Sequence, residues 1–305
     1  MAAPDQFLAD TVITQPACRG RFAPSPTGPL HLGSVVAALA SFLDARKAGG
    51  TWLVRMEDLD PPREVAGAAS AILHTLERLG LCWDETVVYQ SHRHEAYREA
   101  LDKLEKNGLL YQCRCSRLQL AQQAIYPGTC RKHLPNPEQD SAIRCLVPAT
   151  TFAFTDRLQG YCQQQLAAEV GDFIVRRKDR RFAYQLAVVV DDGWQAITDV
   201  VRGCDLLDST PRQLYLQQQL GLPEPRYMHI PVIINSEGQK LGKQQFARPI
   251  DAAHASAVLW TSLNHLLQAP DLQLQQEHPS IILEWAVQHW QPEKLKGSRQ
   301  IREQL

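Results

Sequence analysis

The segment that decides the fold reads RFAPSPTGPLHLGS and runs from Arg21 to Ser34. A short stretch from Gly20 to Ala23 leads into it, and we predict that this stretch is a strand. Prolines and glycines then form a turn, after which apolar residues recur at helical spacing from Val35 to Leu43. Glycines let such a turn approach a ligand closely, and the N-terminus of the next helix offers free N–H groups. The segment therefore predicts a phosphate-binding turn between a strand and a helix.

Elements on either side extend this unit into an α/β fold. Thr51 to Met56 has the composition of a buried strand, so the start of the chain forms a βαβ unit with parallel strands. Spacing predicts helices from Val65 to Leu79 and from Ser91 to Asn107. An open parallel sheet binds ligands beyond the carboxyl ends of its strands, where the turn lies.

The second half of the chain continues the α/β pattern after an irregular segment. Phe182 to Val190 is almost continuously apolar, and we predict a strand that leads to Asp191 and Asp192. Thr210 is the predicted N-cap of a helix, and an apolar run follows from Met228 to Ile234. The remainder of the chain, 250–305, is mostly helical in pattern.

Composition sets limits on the function. The 305 residues have a formal net charge of −1, which argues against a general nucleic-acid coat but allows a local basic patch. The longest apolar stretch, Val35 to Leu43, is too short to cross a bilayer, and the first eighteen residues lack the features of a signal peptide. We therefore expect a cytoplasmic protein without a membrane partner, and a monomer.

A second motif carries two lysines. The loop KLGKQ, Lys240 to Gln244, could place two ammonium groups on a triphosphate, although two lysines alone more commonly form a solvated basic loop.

A third motif carries three cysteines. Cys113 and Cys115 form a C-x-C pair, and Cys130 ends a Y-x3-C motif. Three thiolates favour zinc over harder metals, so the motif could bind zinc. Three reduced cysteines in an irregular insert are the alternative.

Together, the first turn and the lysine loop resemble the two ATP-binding signatures of class I aminoacyl-tRNA synthetases, specifically the glutamyl branch. The resemblance continues through VRMEDLDPPR, Val54 to Arg63, and covers roughly residues 19 to 250. It implies a Rossmann-type parallel sheet and ATP accompanied by magnesium. The chain departs from the family signatures at Ser34, where the general signature has histidine, and at Leu241, Gly242 and Gln244 in the lysine loop. The positions that match ATP-binding residues are His31, Gly33, Ser34, Lys240 and Lys243.

The resemblance also implies a glutamate pocket. A substrate with two carboxylates and one ammonium needs basic groups for the former and an acidic group for the latter. We expect Glu57 to bind the α-ammonium, Arg21 and Arg202 to bind carboxylates, and Tyr184 to fix orientation. The full set of matching positions is Arg21, Phe22, Ala23, Pro24, Ser25, Glu57, Tyr184 and Arg202.

Some glutamyl-type synthetases hold a structural zinc ion in an insert, with tyrosine as the fourth ligand. This implies one zinc per chain, bound by Cys113, Cys115, Tyr126 and Cys130, with His133 as the reserve ligand. Two basic clusters in the same insert could contact tRNA phosphates, although a charged run is more often a solvated face. They comprise Arg114, Arg117, Arg131 and Lys132, and then Arg176, Arg177, Lys178, Arg180 and Arg181.

The predicted division of the chain bears on the acceptor. We expect an N-terminal extension (1–18), two halves of a catalytic domain (19–110 and 182–249), a zinc-containing α+β insert (111–181) and a helical region without an anticodon-binding domain (250–305). This shortened form resembles a branch that activates glutamate without tRNA and attaches it to the queuosine base in the anticodon of tRNA(Asp). The alternatives are a compact glutamyl-tRNA synthetase that charges a 3′ end and a non-catalytic, zinc-containing RNA-binding protein.

Overall fold

The protein is described by a computed structural model that covers residues 17–132, 140–240 and 250–303. The strands are β1 (Arg19–Phe22), β2 (Thr51–Met56), β3 (Val88–Tyr89), β4 (Leu110–Cys113), β5 (Ala142–Cys145), β6 (Thr151–Asp156), β7 (Gly160–Gln165), β8 (Phe173–Arg176), β9 (Asp199–Gly203), β10 (Arg226–Ile230), β11 (Val232–Ile234) and β12 (Gln300–Arg302). The α-helices are α1 (Leu32–Lys47), α2 (Ala68–Arg78), α3 (His94–Lys106), α4 (Leu166–Glu169), α5 (Tyr184–Trp194), α6 (Thr210–Leu220), α7 (Ala255–His265) and α8 (Pro279–His289).

The centre of the fold is a parallel sheet with strand order β10-β9-β1-β2-β3. β1 and β2 pair from Arg19 opposite Thr51 to Phe22 opposite Val54, with α1 as the crossover between them. Parallel strands have their carboxyl ends at one edge of the sheet, so the segments that follow β1, β2, β9 and β10 meet there. This edge carries the cavity described below.

Helix α1 is the main contact between the sheet and the C-terminal helices. It packs against β1, β2 and β9 on one side and against α7 and α8 on another. Val35, Leu39 and Leu43 are fully buried in it, because the helix has apolar neighbours on more than one face. No helix in the described ranges is long and apolar enough to cross a membrane.

Between the two halves of the parallel sheet, the chain forms antiparallel structure. β4, β5 and β8 make a three-stranded sheet, and β6 and β7 form a hairpin that contacts α6 and β10. Asp156, the last residue of β6, is almost completely buried. The hairpin thus reaches the central sheet from a segment that is otherwise separate from it.

The prediction of a strand over Phe182 to Val190 is wrong. Residues Tyr184–Trp194 form α5, whose apolar side chains pack against α3, α6 and β8. A short apolar run fits a buried helix as well as a buried strand, so periodicity cannot separate them. The C-terminal region also contains a strand that was not predicted: β12 pairs in parallel with β11.

The Asp44 carboxylate joins three parts of the chain. It lies in α1 and accepts hydrogen bonds from Arg157 at 2.5 and 2.8 Å and from the Trp290 indole N–H at 3.3 Å. Arg157 follows β6, and Trp290 follows α8. Because Asp44 is only 7% exposed, water cannot easily replace these partners.

We expect Asp44→Ala to lower the free energy of unfolding by about 2–4 kcal/mol, because it leaves Arg157 and Trp290 without their shared acceptor. Urea denaturation followed by circular dichroism measures the change. Asp102→Ala, at an exposed position of α3, is the matched control and should stay within about 0.5 kcal/mol of the wild type. Equal stability of the two variants would contradict this role of Asp44.

Candidate active site

A cavity of about 770 Å³ opens at the carboxyl edge of the parallel sheet. Its size lies within the range of ligand pockets in enzymes. It is lined by the turn after β1, the end of β2, the start of α5 and the segments after β9 and β10. Every sequence-predicted glutamate-binding residue lines this cavity: Arg21, Phe22, Ala23, Pro24, Ser25, Glu57, Tyr184 and Arg202.

The turn after β1 is fixed to the neighbouring strand by backbone hydrogen bonds. The Glu57 N–H donates to the Pro24 carbonyl at 2.9 Å, and the Val65 N–H donates to Pro26 at 3.0 Å. Gly28 has φ of 132°, in the region that favours glycine. The sequence gives this turn a preset shape through its prolines, and the strand pairing determines where it lies.

The predicted ATP-binding residues of the turn lie at the start of α1. His31 is the N-cap, its Nδ1 accepts from the Ser34 N–H at 3.3 Å, and its Nε2 lies 3.0 Å from the Ser34 hydroxyl. His31, Gly33 and Ser34 all line the cavity. Ser34, where the general signature has histidine, is therefore the hydrogen-bond partner of His31.

Lys240 lines the same cavity and forms a 2.5 Å ion pair with Asp205. Both side chains remain partly exposed, so a triphosphate could compete for the lysine. Lys243, Gly242 and Gln244 lie outside the described residues, and their predicted role stays a prediction.

Charged groups are buried beneath the pocket. Arg21 donates to Asp192 through Nε at 3.1 Å and through Nη2 at 3.3 Å. Arg55, which is fully buried, places Nη2 2.8 Å from the same carboxylate and donates through Nη1 to Gln195 at 2.7 Å. Burial opposes ionisation of Asp192, but the two arginines hold its pKa below the usual range. Asp192 thus stays charged and fixes Arg21.

Glu57 sits next to this network without a strong partner of its own. Its Oε1 lies 3.6 Å from Arg55 Nη2 and accepts no hydrogen bond from the described part of the chain. Burial, with a smaller contribution from the Asp192 and Asp191 charges, raises the pKa of Glu57 to about 7, although Arg55 and Arg21 oppose the shift. A cationic ligand group would stabilise the charged form of this carboxylate.

Tyr184 and Arg202 also line the cavity and contact each other. The Arg202 Nη1 donates to the Tyr184 hydroxyl at 3.4 Å, and Nη2 donates to Thr210 Oγ1 at 2.9 Å. The Arg202 Nε donates to His229 Nε2 at 3.0 Å. Among the charged residues that line the cavity are two buried arginines, Arg21 and Arg202, and the carboxylate of Glu57.

The residues that support these side chains were not identified from the sequence. Arg55 stands in the VRMEDLD segment, and Asp192 follows the segment Phe182 to Val190 that was predicted as a strand. The sequence analysis assigned no role to either residue. His229 lies in a plain apolar run, where nothing local marks it. A buried charge in a strand or helix is itself a signal, because it must find a partner in space.

The predicted metal ligands converge in the antiparallel region. The Sγ atoms of Cys113, Cys115 and Cys130 all lie within 4.8 Å of one another, with 3.6 Å between those of Cys115 and Cys130. The Tyr126 hydroxyl is 3.4 Å from Cys113 Sγ and 3.9 Å from Cys115 Sγ. In a tetrahedral zinc site with Zn–S bonds of about 2.3 Å, ligand sulfurs are about 3.8 Å apart. The cluster therefore has spacings that suit a metal ion.

The Cys130 thiol loses its proton more readily than an ordinary cysteine. Burial opposes this ionisation, but hydrogen bonds from the Arg114 backbone, Tyr126 and the two other thiols lower the pKa of Cys130 to about 7. The thiolate is the form that binds metal. His133, the reserve ligand, lies outside the described residues.

The basic clusters predicted near this site are partly engaged within the protein. Arg131 forms a bidentate pair with the buried Asp172 at 2.6 and 2.8 Å. Arg177 and Arg181 both lie 3.3 Å from Asp60. These pairs are structural, which reduces the number of predicted cations available to an external phosphate.

A comparison with protein families decides the assignment of the fold. The family described as tRNA synthetases class I (E and Q), catalytic domain, matches residues 17–257. The chain belongs to this class I synthetase family. Its members are enzymes of the ligase type, and its parallel sheet with flanking helices is the class I synthetase fold.

Similar curated proteins share one name. A glutamyl-Q tRNA(Asp) synthetase of Pseudomonas syringae is 53% identical over 292 residues, which cover 95% of this chain and 99% of the relative. A protein of the same name from Pseudomonas aeruginosa is 56% identical over 272 residues, covering 89% of this chain and 92% of the relative.

Solved structures resemble this synthetase in fold. A glutamate tRNA ligase from Elizabethkingia meningosepticum, in complex with its amino acid, has a TM-score of 0.77 and 24% identity. The similarity covers 94% of this chain and 67% of that structure. A glutamate-tRNA synthetase from Elizabethkingia anophelis gives a TM-score of 0.76 at the same identity, over 93% of this chain and 68% of that one.

The raised pKa of Glu57 predicts a pH-dependent effect on stability. The pKa of Glu57 is raised to about 7 in the folded chain, whereas its ordinary value is 4.5. As the pH rises through this interval, the unfolded chain releases the proton more readily than the folded chain, so the wild type loses stability. Glu57→Gln cannot ionise. Relative to the wild type, its free energy of unfolding should therefore increase between pH 4.5 and pH 7 and then level off.

Urea denaturation in the absence of ligands, at a series of pH values, measures this difference. Glu99→Gln, at an exposed position of α3, is the matched control and should show no such trend. A difference between Glu57→Gln and the wild type that is independent of pH would contradict the raised pKa.

Proposed function

We propose that this synthetase activates L-glutamate with ATP, without requiring tRNA, and transfers the glutamyl group to the queuosine base in the anticodon of tRNA(Asp). Two kinds of observation support the proposal. The cavity has charges that match glutamate, and relatives that are 53–56% identical over nearly their whole length carry the name glutamyl-Q tRNA(Asp) synthetase.

The observation that carries the glutamate assignment is a Glu57 oxygen that has no hydrogen-bond partner among the described residues, in a cavity that is also lined by the buried Arg21 and Arg202. A buried carboxylate oxygen without a hydrogen bond is costly, and a substrate ammonium would satisfy it. Arg21 is held by Asp192 and Arg202 by Thr210 and His229, so each guanidinium is already oriented for a carboxylate. One acidic and two basic groups match the one ammonium and two carboxylates of glutamate.

The ATP-binding part of the proposal rests on the turn after β1 and on the lysine loop. A substrate α-carboxylate oxygen attacks the ATP α-phosphorus, the bond to the β-phosphate bridging oxygen breaks, and pyrophosphate leaves. His31, Ser34 and the N-terminal N–H groups of α1 are placed to stabilise negative charge on the phosphates. Lys240 would exchange Asp205 for phosphate oxygens, with Lys243 as a further cation. Magnesium bound to the triphosphate would supply additional charge neutralisation.

Glu57→Gln should lower kcat/KM for glutamate in ATP–pyrophosphate exchange by about 10–100-fold, because a charge-assisted hydrogen bond to the ammonium is lost. The KM for ATP should change little. Glu64→Gln, a second carboxylate that lines the same cavity, is the matched control and should retain wild-type kinetics for glutamate. Similar losses in both variants would argue against a specific role for Glu57.

The acceptor requires a separate experiment. Purified protein is incubated with ATP, labelled glutamate and one of three forms of tRNA(Asp). The first contains queuosine, the second lacks it, and the third contains queuosine but has lost its 3′-terminal CCA. We expect labelling that needs queuosine and survives removal of CCA. Labelling that ignores queuosine and needs CCA would identify a 3′-charging glutamyl-tRNA synthetase. Absence of glutamate-dependent exchange would indicate a non-catalytic RNA-binding protein.

We further propose that the cysteine cluster holds one structural zinc ion, with Tyr126 as fourth ligand. The sulfur spacings and the Tyr126 hydroxyl at 3.4 Å from Cys113 support this set. Zinc would cross-link β4 and the loop that contains Cys130. We also propose that the two basic clusters of the insert contact tRNA phosphates.

We expect the wild type to bind on the order of one zinc per chain, and Cys130→Ser to lose it, because a structural site needs all its ligands. Atomic emission spectroscopy after dialysis measures the metal. Cys82→Ser, at an exposed position outside the cluster, is the matched control. Tyr126→Phe should weaken zinc retention against a competing chelator; if His133→Asn weakens it instead, His133 is the fourth ligand.

A further inference from the structure

We propose that Asp156 and His229 are positioning residues that orient Arg202 for a substrate carboxylate. They form a chain of buried hydrogen bonds, Asp156–His229–Arg202, that runs from the end of β6 through β10 to β9 and ends at the cavity. This inference rests on the proposed glutamate-activating function. It assigns roles to two side chains that do not themselves line the cavity.

Asp156 is fixed by backbone donors as well as by the histidine. Its Oδ1 accepts from the N–H groups of Leu158 and Gln159, both at 2.9 Å, and its Oδ2 lies 3.1 Å from the His229 N–H. The carboxylate is 1% exposed. Although burial opposes ionisation, the hydrogen bonds from His229 and the backbone keep the pKa of Asp156 below its usual range. A charged, immobile acceptor therefore lies behind the histidine.

The position of the histidine proton follows from Asp156 and Arg202, and the third neighbour, the Thr210 hydroxyl 3.3 Å from Nε2, can donate or accept. Asp156 Oδ2 lies 2.7 Å from His229 Nδ1, and an ionised carboxylate can only accept, so Nδ1 carries the hydrogen. Arg202 Nε lies 3.0 Å from His229 Nε2 and can only donate, so Nε2 presents a lone pair. Burial and the Arg202 charge lower the pKa of His229, against the effect of Asp156. The neutral Nδ1–H tautomer is the form that satisfies both contacts.

Strand pairing holds the histidine beside the arginine. His229 and Arg202 are register partners in the parallel β9–β10 pair, so their side chains leave the sheet on the same face. His229 is fully buried, and its ring stacks on Tyr227 with centroids 6.0 Å apart and planes at 12°. The imidazole therefore has little freedom to rotate away from the guanidinium.

The remaining contacts of Arg202 leave one terminal nitrogen available. Nε is engaged by His229, and Nη2 donates to Thr210 Oγ1 at 2.9 Å and to the Leu206 carbonyl at 3.4 Å. Within the described residues, Nη1 makes one hydrogen bond, a long one of 3.4 Å to the Tyr184 hydroxyl. With the Nε edge anchored in the protein, Nη1 is the donor that can meet a substrate carboxylate. A guanidinium held in this way loses less side-chain entropy on binding.

Two substitutions at His229 separate positioning from simple packing. An asparagine amide can replace Nδ1–H toward Asp156 but does not reach Arg202, whereas a glutamine carbonyl can replace the Nε2 acceptor. We expect His229→Asn to raise the KM for glutamate about tenfold, with the KM for ATP changed less than about twofold, because only the anchor of Arg202 is lost. His229→Gln should restore most of the glutamate affinity.

ATP–pyrophosphate exchange measures both KM values, and thermal unfolding records stability. Ser41→Ala is the matched control: it removes a buried hydrogen bond from the Trp52 indole, between α1 and β2 rather than on β9 or β10, and should leave the KM for glutamate unchanged. A KM for glutamate in His229→Asn within twofold of the wild type, or equal increases in His229→Asn and His229→Gln, would overturn the inference. Absence of exchange in the wild type would instead contradict the proposed function.

Discussion

The parallel pairing of β1 with β2 is the constraint on which the rest of the site depends. It places the turn after Phe22 and the carboxylate of Glu57 at one edge of the sheet, where the Glu57 N–H donates to the Pro24 carbonyl. The N-terminal turn of α1 and the Glu57 carboxylate therefore border the same cavity. This backbone hydrogen bond holds the turn before α1 next to the residue that we propose binds the substrate ammonium.

Buried charge is the second organising feature. Asp192 balances Arg21 and Arg55, and Asp156 acts through His229 on Arg202, so each arginine of the pocket has its own anionic support. Burying such charged groups costs free energy, and removing one member leaves its partner buried without a compensating charge. Their presence beneath a cavity fits a site that must hold charged groups in fixed positions before the substrate arrives.

The antiparallel segment between the two halves of the sheet has two roles in the structure. Its hairpin carries Asp156 into the central sheet, while β4 and the following loop bring three cysteines and Tyr126 together. A metal ion there would link β4 to the loop that contains Cys130. The segment thus contacts the central sheet through its hairpin and carries the cysteine cluster in its first part.

The sequence by itself determined the first strand, turn and helix and the following strand, because short motifs encode local backbone shape. Its resemblance to a known family identified residues that line the cavity, among them Arg21, Glu57, Tyr184 and Arg202. The sequence failed over Tyr184–Trp194, where an apolar run fits a helix and a strand equally well. Only the tertiary structure decided that Asp192 supports Arg21 and that His229 supports Arg202, since these partners are 171 and 27 residues apart. Contacts of that kind depend on strand order and packing, which no local pattern specifies.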